Sequence, residues 1–374
     1  AFPKSIPTWQ RERDRERDTM AAEPEKRERK GTVVWADGCF DMTHYGHLNA
    51  LRQAKSLGDY LIVGVHSDAD ILQHKGPTVM QEQERYLAVR ACKWVDEVVE
   101  GAPYVTSLDV INQYGVDFVV HGDDLSVSAE TGEDTYAAIK AAGKMRIVPR
   151  TTGVSTTDLV GRMLLHTRDH HQERPVMDAQ FNSMIEGAQP KRSPYTKCTQ
   201  FLATSRKIVQ FSEGREPKPT DKVVYIDGGF DVFHAGHIAV LKEARKFGDY
   251  LIVGVHSDQE INRIHGDMWP VMNLQERVLG LLGCRYVDEC VIGAPYSVTN
   301  EMIETLHIQV VLHGSQYAAH MDVDGLDPYR VPKQLGLFQI VKSPVPLTTT
   351  DVVGRIVANA TAFLERNRKK EKRE

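Results

Sequence analysis

The sequence predicts an α/β protein built as two tandem doubly wound domains, each with a parallel five-stranded sheet, and three observations predict it. The first is an internal repeat. VVWADGCFDMTHYGHLNALRQAKSLGDYLIVGVHSD (33–68) aligns without gaps on VVYIDGGFDVFHAGHIAVLKEARKFGDYLIVGVHSD (223–258), with 22 identities in 36 positions. Shorter pieces repeat downstream: ER (84–85, 276–277), GAPY (101–104, 293–296), HG (121–122, 313–314), and TTDLVGR with TTDVVGR (156–162, 349–355). A period this long means two copies of a whole domain rather than a solenoid. The second observation is a strict alternation of strand-like and helix-like segments within each copy. The third is that the strand segments are almost continuous Val, Ile and Leu, as in strands buried on both faces beneath helices. This arrangement is Rossmann-like, and its sites lie outside the carboxyl ends of the strands where the strand order reverses.

In the first copy TVVWADG is a short apolar run closed by a glycine turn, a strand. HLNALRQAKSLG carries apolar residues at helical spacing and stops at Gly58. YLIVGVHSD is a fully apolar strand, QEQERYLAVRAC a helix and VDEVVEG a strand. TSLDVINQYG starts on Thr or Ser and reads as a helix. FVVHGDD is a strand, DTYAAIKAAG a helix, MRIVP a strand and TTDLVGRMLLHTRDHH a closing helix. Five strands thus alternate with five helices. The expected organisation is a charged arm over 1–31, a first domain over 32–167, a linker over 168–221, a second domain over 222–365 and a basic tail over 366–374. Within the polar linker, KCTQFLATSRKIVQF (197–211) has the pattern of an amphipathic helix that packs on a domain.

Composition narrows the function classes. A formal net charge of -5 over 374 residues argues against a general nucleic-acid binder. The five cysteines (39, 92, 198, 284, 290) form no CxxC pair. Free thiols in a reducing compartment, the cytoplasm, are therefore expected, with no structural metal. No run of about 18 apolar residues is present, so no integral membrane contact is expected. The basic ERNRKKEKRE end allows at most a weak attraction to an anionic surface such as that of the endoplasmic reticulum.

The chemistry concentrates at the corner leaving the first strand, DGCFDMTHYGH (37–47). Gly38 permits a sharp turn, and Gly46 lets an anion approach the backbone between His44 and His47. The helix that starts there points free N–H groups and a partial positive charge at the same place. Two imidazoles three residues apart can face that anion together. A histidine at a helix start can also simply cap it, and two histidines alone make a poor zinc site. Lys75, in the HKGPTVM loop after the second strand, can deliver a cation to a polyphosphate. RTTGVSTT (150–157) leaves the last strand. It offers the fork of Arg150, close backbone approach at Gly153, and hydroxyls and helix-start amides at Ser155, Thr156 and Thr157. All three segments sit at carboxyl ends of strands and can converge on one polyanion.

DG-FD-x-x-H-x-G-H, then a lysine loop, then R-T-x-G-x-S-T-T resembles the cytidylyltransferase family, whose members join a phosphorylated alcohol to CTP. The resemblance covers residues 33–165 closely. The H-x-G-H element by itself marks only the wider nucleotidyltransferase superfamily. The tandem arrangement, with a short tail where choline-phosphate relatives carry a long amphipathic helix, resembles the branch that uses phosphoethanolamine. It implies transfer of CMP from CTP to phosphoethanolamine, with Mg²⁺ accompanying the CTP. Phosphocholine, glycerol 3-phosphate, adenylyl transfer and a non-catalytic CTP-binding scaffold remain alternatives. The resemblance assigns His44, His47, Lys75 and Arg150 to catalysis. Gly38, Cys39, Phe40, His121, Gly122, Asp123, Gly153, Ser155, Thr156 and Thr157 would line the CTP site. Asp41, Asp123 and Tyr104 are the expected acceptors for the ammonium of the substrate, with Trp94 and Tyr104 as aromatic faces for it. In the second copy Gly229, Phe230, His234, His237, His313, Gly314, Thr348, Thr349 and Thr350 would keep a nucleotide pocket. There His265 replaces the lysine, Ser343 replaces Arg150 and Pro346 replaces Gly153. The second copy is therefore expected to catalyse poorly and to pack on the first as a support or regulatory half.

Overall fold

The computed structural model describes residues 31–123, 132, 134–165, 203–212, 214–266, 269–315, 325 and 327–371. The charged arm before Gly31, most of the linker and the last three residues of the tail lie outside the described residues. The first half runs β1 (Val33–Gly38), α1 (Tyr45–Lys55), β2 (Tyr60–Val65), α2 (Asp68–His74), α3 (Glu82–Arg90), β3 (Glu97–Glu100), α4 (Leu108–Gln113), β4 (Phe118–Gly122), α5 (Ala137–Ala141), β5 (Met145–Val148) and α6 (Thr156–Leu165). Helix α7 (Ala203–Phe211) follows. The second half repeats the series as β6 (Val223–Gly228), α8 (Ala235–Ala244), β7 (Tyr250–Val255), α9 (Asp258–His265), α10 (Leu274–Leu282), β8 (Glu289–Ile292), α11 (Asn300–Thr305), β9 (Val310–Gly314), α12 (Arg330–Gln334), β10 (Phe338–Val341) and α13 (Thr349–Ala358). A last helix, α14 (Ala360–Glu371), closes the described chain.

Each half forms one five-stranded sheet, ordered β3-β2-β1-β4-β5 and β10-β9-β6-β7-β8. Every pairing is parallel, with β1 matched residue for residue to β2 from Val33↔Tyr60 to Gly38↔Val65. The two tandem Rossmann-like domains expected from the repeat are thus present. Strand order reverses at β1 and at β6, so the crevice beyond Gly38 lies at a topological switch point. Both faces of β1 are covered, as its unbroken apolar run requires. Val34 and Ala36 face a core that continues into the second half, through Leu48, Val89, Ile238, Leu241 and Val278. Val33 and Trp35 face a separate outer core with Ile62, Ile111, Val119 and Ile139.

The elements differ from the sequence reading in two places: α14 carries the chain as a helix into the expected basic tail, as far as Glu371, and each half has an additional helix. Between β2 and β3 there are two helices rather than one. Helix α2 is seven residues long, capped by Ser67, whose side chain accepts from the Asp70 amide, and it buries only Ile71. A single buried position leaves no periodic pattern to read. The amphipathic segment of the linker is helical from Ala203, and its Phe211 is buried edge-on against Trp94 at 5.0 Å between ring centroids.

The halves meet through matched contacts. Cys92 and Cys284 form an isolated antiparallel bridge. The Lys93 amide donates to the Gly283 carbonyl at 2.9 Å, and the Arg285 amide to the Ala91 carbonyl at 2.8 Å. Arg162 of α6 pairs with Glu276 of α10 at 2.8 Å, and Arg355 of α13 pairs with Glu84 of α3 at 2.7 Å. Gly283 lets Leu48 pack against the bridge: a Cβ there would stand 2.6 Å from the Leu48 Cδ1 and push that side chain aside.

Candidate active site

The corner after β1 is a strained turn held by one carboxylate. Phe40 and Met42 take left-handed backbone angles, φ 53° and 48°, although neither is glycine. Such angles persist only where surrounding bonds over-determine them. Here Asp41, between the two, is buried, and its carboxylate accepts from the Val79 amide at 3.1 Å and the Met80 amide at 2.9 Å. Arg366 of α14 donates to it at 3.3 Å. The Thr156 hydroxyl donates to the Asp41 backbone carbonyl at 3.0 Å. Burial pushes the Asp41 pKa up, against the pull of these amides and of Arg366 and Arg85. Asp41 therefore ties three segments together: the histidine corner, the end of the Lys75 loop and the start of α6.

His44 caps α1 and fixes the tautomers of the pair. Its Nδ1 accepts from the Gly46 amide at 3.1 Å, and the His47 Nδ1 accepts from the His44 amide at 3.3 Å. A neutral imidazole that accepts through Nδ1 carries its proton on Nε2. The two rings lie 4.0 Å apart between centroids, so both Nε2–H donors belong to one small cluster at the helix start. His44 is buried and His47 half-buried. A Cβ on Gly46 would stand 2.9 Å from the His44 ring and 3.0 Å from Val154, so glycine is needed for the last loop to come this close.

The remaining segments close around this cluster. Lys75 caps the end of α2, and Gly76 turns the chain at φ +95°. The Lys75 ammonium lies 5.5 Å from the centroid of the Tyr104 ring, which also stacks on His74 at 4.0 Å. The RTTGVSTT loop is held to α1 by Asn49 donating to the Thr151 hydroxyl at 2.9 Å, and Gly153 has φ +85°. Ser155 accepts from the Asp158 amide and caps α6. Arg150 is exposed, and its amide donates to Asp123 at 3.1 Å. The Asn367 side chain reaches the Thr157 carbonyl at 3.5 Å. The Phe40 ring packs beside Gly38 and lies 5.7 Å from His47. The Cys39 thiol is pushed up to about 11, mainly by burial, so it is no nucleophile at neutral pH. His121 rests on Tyr136 at 4.8 Å, beside the carbonyl of Gly122.

Two expectations are corrected. Asp41 does not face a substrate ammonium, because backbone amides and Arg366 occupy its carboxylate inside the protein. Trp94 is not an aromatic face of the site. It is buried at the junction of the halves, against Phe211 and next to Gly283. Two supporting residues escaped the sequence reading. Arg85 is buried and donates to the carbonyls of Cys39 at 2.6 Å and His66 at 2.8 Å, holding the ends of the first two strands together. Asp37 is buried and accepts from the hydroxyls of Tyr136, at 2.6 Å, and Thr106. The repeated ER dipeptide was the available signal for Arg85. A buried arginine beside a glutamate that pairs across the junction leaves no periodic trace, but the exact recurrence of the dipeptide in both copies does.

In the second half His234 caps α8 as His44 caps α1, and the His234 and His237 rings lie 3.9 Å apart. Phe230 is 5.4 Å from His237, and Gly229 packs against Ile261. His265 ends α9, and His313, at the end of β9 beside Gly314, meets the Tyr329 hydroxyl at 3.0 Å. Thr348 caps α13, Thr349 donates to the Asp231 carbonyl at 3.0 Å, and Thr350 is exposed.

Comparison with known proteins agrees with this geometry in both halves. The cytidylyltransferase-like family model matches residues 35–162 and again 225–363. The chain is 55% identical to the ethanolamine-phosphate cytidylyltransferase of Dictyostelium discoideum, over 92% of this chain and 96% of that relative. It is 47% identical to the protein of the same name from Mus musculus, over 91% of this chain and 89% of that relative. It is also 47% identical to choline-phosphate cytidylyltransferase A of Rattus norvegicus, but over only 35% of this chain. The chain belongs to the cytidylyltransferase-like family, and carries that family's domain twice.

Proposed function

We propose that the chain transfers CMP from CTP to phosphoethanolamine, giving CDP-ethanolamine and pyrophosphate, the middle step of phosphatidylethanolamine synthesis. The observation that carries it is the convergence at Asp41. One carboxylate and its backbone carbonyl join the histidine corner, the Lys75 loop and the first turn of α6. The full-length likeness to relatives named for ethanolamine phosphate supports the choice of acceptor.

The phosphate of phosphoethanolamine is mostly a dianion at neutral pH and needs no general base. One of its oxygens attacks the α-phosphorus of CTP in line, and pyrophosphate leaves with the bonding pair. The protein's task is then to position anions and to meet developing charge. The Nε2–H groups of His44 and His47 donate to the α- and β-phosphate oxygens, and the amides of α1 add their dipole. Lys75 and Arg150 neutralise the attacking and leaving phosphates. Ser155, Thr156 and Thr157 present the start of α6 to the β- and γ-phosphates. His121, Gly122 and Asp123, with Gly38, Cys39 and Phe40, form the nucleotide side of the crevice. Tyr104 and Asp123 remain the groups for the substrate ammonium.

Among the described residues no group of three or more His, Cys, Asp or Glu side chains could hold a metal ion. Mg²⁺ would therefore arrive on the phosphate oxygens of CTP and keep its waters, neutralising charge there. No helix among the described residues is long and apolar enough to cross a membrane. We place the reaction in the cytoplasm, with the basic end giving no more than weak attraction to an anionic membrane, and the two halves acting as one unit.

The test is pyrophosphate release from CTP with phosphoethanolamine, phosphocholine or glycerol 3-phosphate, and from ATP with phosphoethanolamine. Phosphoethanolamine with CTP should lead in kcat/KM by roughly 100-fold or more. Release that is absent, or faster with another pair, overturns the reading.

A further inference from the structure

The proposed reaction uses residues of the first half, yet the second half grips the loop that carries Lys75. Phe363 of α14 is buried in a core shared by both halves, among Met42, Val79, Met80 and Val160 of the first. One turn further, the Arg366 guanidinium lies 4.9 Å from the Phe363 ring. Its Nη1 donates to the Pro77 carbonyl at 2.7 Å and to the Asp41 carboxylate at 3.3 Å. The Arg366 side chain is 15% exposed and that of Asp41 6%, so the contact is largely removed from solvent. The aliphatic stem of Arg366 covers Gly76, with its Cγ 3.7 Å from where a Cβ would stand. A second grip comes from Arg355, which donates to the Val79 carbonyl at 3.3 Å. The segment from Gly76 to Val79 is thus fixed from the second half at two carbonyls, immediately after Lys75.

We propose that Arg366 is a positioning residue for Lys75: the last helix of the second half sets the lysine loop of the first half in its working place. The proposal rests on the phosphate-transfer reading of the first half for its kinetic consequence, but not for its structural one. Lys75 sits on a turn with a glycine at positive φ, and α2 behind it buries one residue. The near end of the loop is tied to α2 by the Lys75 and Gly76 amides on the Ile71 carbonyl, the Thr78 hydroxyl donates to Asp68, and the ammonium rests beside the Tyr104 ring; the far end needs a fixing of its own. Asp41 and Arg366 supply it together: Asp41 takes the amides of Val79 and Met80, and Arg366 takes the carbonyl of Pro77 while neutralising Asp41. Without Arg366 the buried carboxylate loses the cation that donates to it, keeping only the field of Arg85, and the loop loses its outer tie. An ångström of play at a charge aimed at a phosphate costs on the order of 100-fold in rate.

The experiment uses the full chain with Arg366→Ala and Arg366→Lys, each alone and combined with Lys75→Ala, and reads kcat, KM and backbone hydrogen exchange. Arg366→Ala should lower kcat about 100-fold with KM for CTP within about threefold. Exchange at the Val79 and Met80 amides should rise at least about tenfold while β1 stays protected. Arg366→Lys should recover most of the rate, because a single nitrogen makes both contacts. In the Lys75→Ala background, Arg366→Ala should cost little more, since both changes remove the same function. Unchanged exchange at Val79 and Met80 overturns the proposal, as does a full additive loss beside Lys75→Ala. Should Arg366→Ala melt the chain, Arg366→Met decides, because it keeps an aliphatic stem over Gly76 and removes both donors: a methionine variant that folds with Val79 and Met80 still protected and kcat unchanged overturns it. If the unaltered chain releases no pyrophosphate, the functional reading fails, and the exchange measurements still decide whether Arg366 fixes the loop.

Discussion

In both halves a histidine caps the first helix through Nδ1, taking the second helical amide at 3.1 Å, and a second imidazole lies 4.0 Å or 3.9 Å from it. In both halves a buried aspartate takes two amides of the loop after the second strand, and a buried arginine takes the carbonyl two residues before it. The left-handed angles recur too, at Phe230 and at Val232, where a β-branched side chain makes them still costlier. The halves part where the last strand ends. Gly153 turns the first loop at φ +85°. Pro346, in its place, cannot take a positive φ. The second loop follows another course, and the Leu347 carbonyl comes to 2.0 Å from where a Cβ of Gly236 would stand. A carbonyl oxygen, which repels an anion, thus stands against the helix-start glycine where the first half has the Val154 side chain. In this half the capping imidazole is held on both sides: the Thr349 hydroxyl donates to the Asp231 carbonyl, so its oxygen receives the His234 Nε2–H at 3.3 Å. The comparison teaches that H-x-G-H has two jobs. Capping a helix and bracing a strained corner preserve it even where the phosphate pocket is filled.

The largest effect should separate the two histidine pairs. His47→Ala should lower turnover of the full chain by about 1,000-fold or more, as losing an oxyanion donor does. His237→Ala should change it less than about threefold. Pyrophosphate release on variants matched for melting temperature checks both. Equal losses at the two sites would mean that the second half works alongside the first.

The sequence carried the architecture because the strands announce themselves twice, and a segment such as YLIVGV cannot be placed anywhere but in a covered sheet. It put His44, His47, Lys75 and the RTTGVSTT loop after strand ends, where they lie, because each stands beside a glycine or a helix start that gives it a local meaning. It could not carry the direction of Asp41. That carboxylate turns inward because its partners, Val79, Met80 and Arg366, lie far along the chain. Trp94 failed for the same reason: a residue beside a strand faces either a crevice or a neighbouring domain, and only the Cys92–Cys284 bridge shows which. Arg366 had the look of a tail residue in a basic run. Its position opposite Pro77 depends on how two halves pack, which no local pattern encodes.

A smaller effect distinguishes the halves by pH. Burial, helped by Arg355, lowers the His234 pKa to about 3 from an ordinary 6.5. The fold therefore holds His234 neutral. As the pH falls below about 6.5 the unfolded chain takes a proton there and the folded chain does not. Stability from this group is complete above that pH and is lost progressively towards pH 3. At pH 5 the loss is about 2 kcal/mol. His234→Asn keeps a side-chain acceptor for the Gly236 amide and removes the titration. Denaturant unfolding from pH 7.5 to 5 should show the variant losing about 2 kcal/mol less than the unaltered chain. Asp231, raised to about 6 mainly by burial, pulls the other way, and His237, held well below its ordinary value mainly by burial and then by His234, pulls the same way; both are present in both proteins, so most of the difference belongs to His234. Parallel pH slopes would refute the buried neutral histidine.

The smallest effect lies in the two matched ion pairs that join the halves. Arg162 and Glu276 are 12% and 6% exposed, whereas Arg355 and Glu84 are 30% and 13% exposed. Each glutamate also takes the amide at its own helix start, Asn273 or Gln81, so a single glutamate variant would mix a lost cap with a lost pair. A double-mutant cycle removes the cap from the sum. Coupling should be about 2 kcal/mol for Arg162–Glu276 and about 1 kcal/mol for Arg355–Glu84, because solvent screens the second pair more. Raising the salt should erode the Arg355–Glu84 coupling first. If the order were reversed, the junction would be tighter on the side where the second half meets the Lys75 loop, and the two copies would brace each other unequally in favour of the first.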